Sequence, residues 1–247
     1  MDPGTCGIEK ISKPVSFLRG RRYRGGMTGL RERKKLMTRK AILDTAEAMF
    51  AERGFDNVTV AEIADAVNIS AKTLFVYFPT KDDLVFADEN QVRDTIVARI
   101  RDRAVGQTPL DAMAGLLREL MSASGPRAVA GLDRLLRMVG HNTVLRSRLR
   151  LMWERFEDAV AAHLAEETGE SGTAAAPRVV AAQLVLVFRL LASEDVLAYI
   201  RAQPKRKQSA AFTHWLDESI RVVGDGIADY APRQGRLMTD VSSSQRG

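Results

Sequence analysis

From about Thr38 the apolar positions fall on one helical face. Ile42, Ala46, Met49 and Phe50 stand at i, i+4, i+7 and i+8, and Gly54 follows as a stop. Three helix starts come next, each with its own cap. Thr59 precedes Val-Ala-Glu62, a Thr-x-x-Glu box that opens a helix over about 60–67. Ser70 opens one over about 71–78. Thr80 opens a third, with Asp82 and Asp83 in the first turn, where the helix dipole favours negative charge. Asn68 lies between the first two and tolerates the left-handed backbone that a tight turn needs. Two short helices joined by about three residues make a helix-turn-helix.

Downstream the 3.6-residue period predicts long amphipathic helices over about 82–103, 109–122, 127–139, 143–168, 177–201 and 209–229. The breaks fall at Gly106 to Thr108, at Ser124-Gly125-Pro126, at Gly140, in 169–176 and at Pro204. No strand-like alternation of useful length occurs. The pattern therefore predicts an all-α chain, with a small N-terminal three-helix unit followed by a C-terminal helical bundle.

Composition narrows the class. Apolar residues at 45% and charged residues at 28% suit a soluble globular protein of one or two domains. The single Cys6 forbids an internal disulfide and offers no cysteine-based metal site, which fits a reducing cytoplasm. The longest apolar run, Val179 to Ala192, is too short to span a bilayer and is interrupted by Gln183 and Arg189. Residues 1–26 lack the apolar core of a signal peptide, and Met27 offers an alternative start. Charge is unevenly placed: residues 1–40 carry twelve Lys/Arg against Asp2, Glu9 and Glu32, so they hold +9 and leave −3 for the rest. Such a leader suits a polyanion, either nucleic acid or an anionic membrane surface, or is a solvated disordered arm.

The stretch "NISAKTLFVYFPTKDDL" (68–84) concentrates three aromatics in a chain that is only 6% aromatic. A helix lying in a major groove must be held by a small scaffold while showing polar groups outward. Leu74 and Phe78, extended by Ala71 and Phe75, supply an apolar face that can pack on Phe50, Phe55, Ile63 and Val67. Lys72, Thr73 and Tyr77 fall on the other face as a cation, a hydroxyl and a ring with a hydroxyl for the sugar-phosphate backbone. Packing of Tyr77 into the core is the alternative.

At Gly54-Phe55, Thr59, Ile63-Ala64, Ser70, Thr73-Leu74, Tyr77-Phe78 and Lys81-x-x-Leu84 the chain resembles the DNA-binding signature of the TetR family of prokaryotic transcription regulators. It departs at Phe75, where Tyr is common, and at Asn68, where Gly is common. The resemblance covers residues 31–85, about a fifth of the chain. It implies a DNA-binding surface made of Arg31, Arg33, Lys34, Lys35, Thr59, Ser70, Ala71, Lys72, Thr73, Val76, Tyr77 and Lys81. Thr59 caps its helix and approaches a phosphate; the cluster at 31–39 acts as a basic arm before the first helix. The expected domains are a disordered basic arm (1–30), a helix-turn-helix DNA-binding domain (31–85), an effector-binding and dimerisation bundle (86–230) and a flexible tail (231–247).

In the bundle, "PRVVAAQLVLVFRLLA" is apolar nearly all round, which means burial on more than one side. The resemblance implies that the last two long helices pair with those of a second subunit, so that a homodimer presents two reading helices to a pseudo-palindromic double-stranded DNA operator. It also implies a pocket for an unknown small-molecule effector. Candidate lining residues are Met113, Leu117, Met138, His141, Met152, Trp153, Phe156, Phe188 and Arg189, an apolar Met-rich set with two polar members. Each apolar one serves equally as bundle core. Arg189 suits an anionic effector, or Glu194 or Asp195 across the dimer.

Enzymatic chemistry finds no support. His141, His163 and His214 are far apart, and no Glu-x-x-His pair, phosphate-binding Gly-rich loop or nucleophile elbow occurs. No catalytic residue, metal site, cofactor or membrane partner is expected. The expectation is a cytoplasmic, homodimeric, ligand-responsive repressor, with a signal carried along a helix at 82–103. Sequence-independent binding of anionic membrane or nucleic acid by a basic tail is the alternative.

Overall fold

Capping divides the N-terminal part into short helices, and apolar periodicity builds the rest from long ones. A computed structural model describes residues 29–140 and 142–227, without the side chains of 121–134 and 225. The elements are α1 (Leu30–Arg53), α2 (Val60–Ala66), α3 (Ala71–Tyr77), a 3-10 turn (Asp82–Leu84), α4 (Glu89–Arg101), α5 (Pro109–Gly140), α6 (Thr143–Thr168), α7 (Ala175–Leu191), α8 (Glu194–Arg201) and α9 (Lys205–Ile227). The chain is all-α, with no strand among the described residues. The expected arm before residue 29, the expected tail after residue 230 and His141 lie outside them.

The head is made of α1, α2 and α3. Its core is Ile42, Phe50, Phe55, Val58, Ile63, Leu74 and Phe78, all buried. Phe50 and Phe55 pack ring on ring at 5.1 Å. Between them Gly54 adopts φ +81°, a conformation that favours glycine, and its amide closes α1 on the Phe50 carbonyl. The Thr59 box is complete: the Glu62 amide donates to Thr59 Oγ1 at 3.2 Å, and the Thr59 amide donates to Glu62 Oε2 at 2.7 Å. Asn68 takes the left-handed turn at φ 56°, and Ser70 Oγ then accepts from the Thr73 amide at 3.0 Å.

Several boundaries differ from the sequence reading. The first helix begins at Leu30 rather than near Thr38, so Arg31, Arg33, Lys34, Lys35 and Arg39 lie on α1 and not on an arm before it. No apolar period marks residues 30–37, because Leu30, Leu36 and Met37 project outward. Helix-favouring Leu, Arg, Glu and Lys carry the segment instead. The helix expected over 82–103 is broken: the Thr80–Asp83 box opens only the 3-10 turn, and α4 starts afresh at Glu89. Conversely, α5 runs unbroken through Gly125-Pro126. A proline there removes one intrahelical bond at a cost of ~3 kcal/mol without requiring an end. The helix expected over 177–201 bends by 43° between α7 and α8, where Ser193 caps α8 ahead of Glu194 and Asp195. No single helix among the described residues is long and apolar enough to cross a membrane.

In the bundle α6 packs along α7, α5 along α9, and α4 against both α5 and α6. Trp153 meets Phe156 and Phe188 edge-on, at 5.6 and 5.5 Å between ring centres. Two buried charge clusters hold α4 to α6. At its first residue, Glu89 (5% exposed) pairs with Arg148 and, at 3.2 Å, with Arg155 of α6. Just past its end, Arg103 (3% exposed) forks onto both oxygens of Glu167 at 2.9 and 2.5 Å and donates to the Ile100 and Gln107 carbonyls.

Candidate nucleic-acid interface

The outward face of α3 is set by what its inward face buries. Leu74 and Phe78 are buried, Ala71 and Tyr77 half-buried, and Lys72, Thr73, Phe75 and Val76 exposed. One assignment is overturned: Phe75, expected in the core, is 46% exposed. Tyr77, expected to point outward, is half-buried and packs partly against the core while also lining the outer groove. At 3.6 residues per turn both lie about 80° from the Leu74–Phe78 axis, so period alone could not rank them.

Across from this face stand the first two turns of α1. Together they form an open groove of 1030 Å³ lined by Leu30, Arg31, Glu32, Lys34, Lys35, Thr38, Lys72, Thr73, Val76 and Tyr77. The fold thus brings Arg31, Lys34, Lys35, Lys72, Thr73, Val76 and Tyr77 together from two segments about forty residues apart. Leu30, Glu32 and Thr38 were not anticipated; the heptad-like spacing of 31, 34, 35 and 38 was the available signal. Four cations face one carboxylate, Glu32, and no ion pair ties Arg31, Lys34, Lys35 or Lys72 among the described residues. Such a surface holds a positive potential toward any polyanion.

The remaining expected contacts are placed otherwise. Arg33 is exposed on α1 outside the groove lining. Thr59 and Ser70 are occupied as caps, and Thr59 Oγ1 also donates to Glu62. These hydrogen bonds from Thr59, the hydroxyl first, together with Arg53 at 2.8 Å, lower the Glu62 pKa to about 2. Lys81 is drawn inward: its ammonium donates to the Phe55 carbonyl at 2.6 Å and sits 4.2 Å from the centre of the Phe55 ring. Partial burial pushes its pKa down. Lys81 therefore ties the segment after α3 back to the end of α1.

The expected effector residues separate. Met113, Leu117, Met152, Trp153, Phe156 and Phe188 are buried together in the bundle core. Met138 instead lines a hollow of 430 Å³ between head and bundle, with Phe50, Phe55, Asp56, Arg137 and Asn142. Asn142 there donates to Asp56 at 2.6 Å, a direct bond from the α5–α6 connection to the head. Arg189 is exposed and faces Glu157 at 3.9 Å; Glu194 pairs with Arg201 within α8.

A capped helix-turn-helix with a cationic outer groove, carried on a helical bundle, defines the class by architecture: an all-α chain with a helix-turn-helix head and a helical C-terminal part. Residues 42–87 match the family described as bacterial regulatory proteins, tetR family. The HTH-type transcriptional regulator TcmR of Streptomyces glaucescens is 30% identical over 110 residues, 44% of this chain and 49% of TcmR. The HTH-type transcriptional repressor KstR2 of Mycobacterium tuberculosis is 39% identical over 80 residues, 32% of this chain and 40% of KstR2. The chain thus spans about half or less of the length of these relatives. The solved structure of NalD, the secondary repressor of the MexAB-OprM multidrug efflux pump in Pseudomonas aeruginosa, is 21% identical. It covers 76% of this chain and 96% of its own, with a TM-score of 0.51, which shows a shared fold.

Proposed function

We propose that the chain is a cytoplasmic transcription regulator that binds a pseudo-palindromic DNA operator as a homodimer and represses until a small-molecule effector occupies its bundle. The groove carries this reading: Arg31, Lys34, Lys35 and Lys72 flank the outward face of a capped α3 and leave their charge for phosphates. A surface for anionic lipid needs the cations but not the capped turn that holds α3 beside them.

Dimerisation is supported by apolar side chains that the protomer leaves outside. Val179 and Leu190 on α7 and Val222 on α9 are exposed, with Leu186 and Trp215 half-buried between them. An isologous contact through α7 and α9 would cover them. For the effector, the Trp153, Phe156 and Phe188 cluster beside Met113, Leu117 and Met152 offers aromatic and thioether walls between α5, α6 and α7. The signal leaves through α6, which holds α4 at both ends and reaches past it. Arg148 lies 3.6 Å from Asp82 and 3.7 Å from Asp83, in the turn directly after the head.

The test is selection of bound duplexes from a random pool at near-physiological salt. An enriched inverted repeat is expected. Salt-sensitive binding with no enriched motif would leave a basic groove without a reading function, and vesicles of anionic lipid would then be the probe.

A further inference from the structure

The crest of α3 is apolar and exposed. Val76 is 79% exposed at the crest of α3, opposite the buried Leu74 and Phe78, and Phe75 beside it is 46% exposed. Neither has a core to fill. Lys72 and Thr73 flank Val76 on the helix, and Arg31, Lys34 and Lys35 line the same groove from α1. An apolar crest framed by cations does not match an apolar protein partner, which would have to desolvate those charges. It matches a surface with charged rails and an apolar floor. In the major groove of B-DNA the rails are phosphates, and the apolar group on base edges is the 5-methyl of thymine.

We propose that Val76, with Phe75 beside it, reads thymine in each operator half-site through the 5-methyl group, while the groove cations hold the flanking phosphates. This rests on the operator-binding reading above and adds a base preference to it. Lys72 and Thr73 supply polar contacts on either side, so discrimination against cytosine at the central position comes from the missing methyl and from the side chain's lack of a hydrogen-bonding group. Phe75, lacking the hydroxyl of a tyrosine, widens the apolar contact instead of donating to a phosphate.

Replacing thymine by uracil removes the methyl and leaves the base pair unchanged. The full-length protein is titrated with its selected duplex, and with duplexes carrying dU for dT one position at a time. One position, or two adjacent ones, in each half-site should weaken binding about four-fold per half-site, the worth of one buried methyl. Val76→Ala should bind dT and dU duplexes alike at that position while keeping its salt dependence. Phe75→Ala should lose sensitivity at the neighbouring position if a second one responds. Equal binding of dT and dU duplexes throughout, by a protein that still selects its operator, overturns the thymine contact and leaves the regulator reading standing. Failure to select any operator overturns both. Sedimentation velocity without DNA supplies a further check: a change in oligomeric state caused by Val76→Ala would make the crest a protein contact and also overturn the proposal.

Discussion

The groove between α1 and α3 and the seam between α4 and α6 are both rich in charged side chains, yet they use charge in opposite ways. In the groove four cations face a single carboxylate and stay exposed. In the seam Arg148, Arg155 and Arg103 are matched to Glu89, Asp82, Asp83 and Glu167, and two of these seven groups are almost wholly buried. Unpaired charge in water costs little and attracts a polyanion; buried charge must find its partner inside the chain. Residue type alone does not separate the two uses, because an arginine on α1 and one on α6 look alike until burial is known. The comparison also ranks mutations by what they should do to folding.

Arg148→Ala should have the largest effect on stability. It leaves Glu89 buried with only Arg155 at 3.2 Å, and removes the guanidinium from the Phe86 ring at 5.2 Å. Breaking a buried pair from one side costs about 3–5 kcal/mol. A denaturant midpoint that fell accordingly, with partial recovery when Glu89→Leu is added to Arg148→Leu, would mark the seam as a matched pair. Unchanged stability would mean that Glu89 is solvated and that the contrast with the groove is empty. Arg148 Nη1 is buried without an acceptor, so the cluster is not fully satisfied. A small displacement of α6 would repartition its pairs among Asp82, Asp83 and Glu89, which is what a coupling element requires.

Lys81 tests the boundary between the two regions. The family resemblance puts it on the DNA-binding surface, whereas the structure gives its ammonium to the Phe55 carbonyl and ring. A hydrogen bond to a charged group is worth about 2 kcal/mol. Lys81→Ala should therefore lower stability by that order while leaving the salt slope of DNA binding nearly unchanged. A slope that falls by about 1 with stability intact would move Lys81 to the groove side.

How much was legible follows the same division. The head declared itself because its signals are local: Thr59, Asn68 and Ser70 each need a particular residue type at a fixed offset, and all three stand where they were read. Local signals failed where geometry is symmetric, as for Phe75 and Tyr77, and where a helix has no core to face, as over 30–37. The break after α3 was hidden because a capping box announces a helix start but not its length. In the bundle the apolar set at Met113, Trp153 and Phe188 was found as a composition, and its arrangement was not. The α4–α6 seam was invisible: Glu89 and Arg148 are 59 residues apart in the chain, and nothing in either segment marks a buried partner.

The Thr59 box should give a smaller effect with a definite pH dependence. Thr59→Ala removes the cap and costs about 1 kcal/mol at neutral pH. The box lowers the Glu62 pKa from 4.5 to about 2, chiefly through the Thr59 hydroxyl. A carboxylate depressed in the folded state stabilises fully above its unfolded pKa and loses that contribution as pH falls through the folded value. The difference in melting temperature between wild type and Thr59→Ala should therefore be constant above about pH 5 and shrink toward pH 2. A difference independent of pH would show that the cap works through the Thr59 oxygen alone.

The groove lysines should affect folding least and binding most selectively. Lys34 and Lys72 are exposed and face each other's elements across open space, so alanine at either should shift stability by no more than about 0.5 kcal/mol. Each phosphate they neutralise contributes about 0.9 to the slope of log affinity against log salt. Lys34→Ala and Lys72→Ala should each flatten that slope by about 1 per protomer and weaken unrelated duplexes as much as the operator. The two effects should add, because the residues share no partner. A change in operator preference without a change in slope would instead mean that Lys72 reads a base edge, and the charge of the groove would then rest on α1 alone.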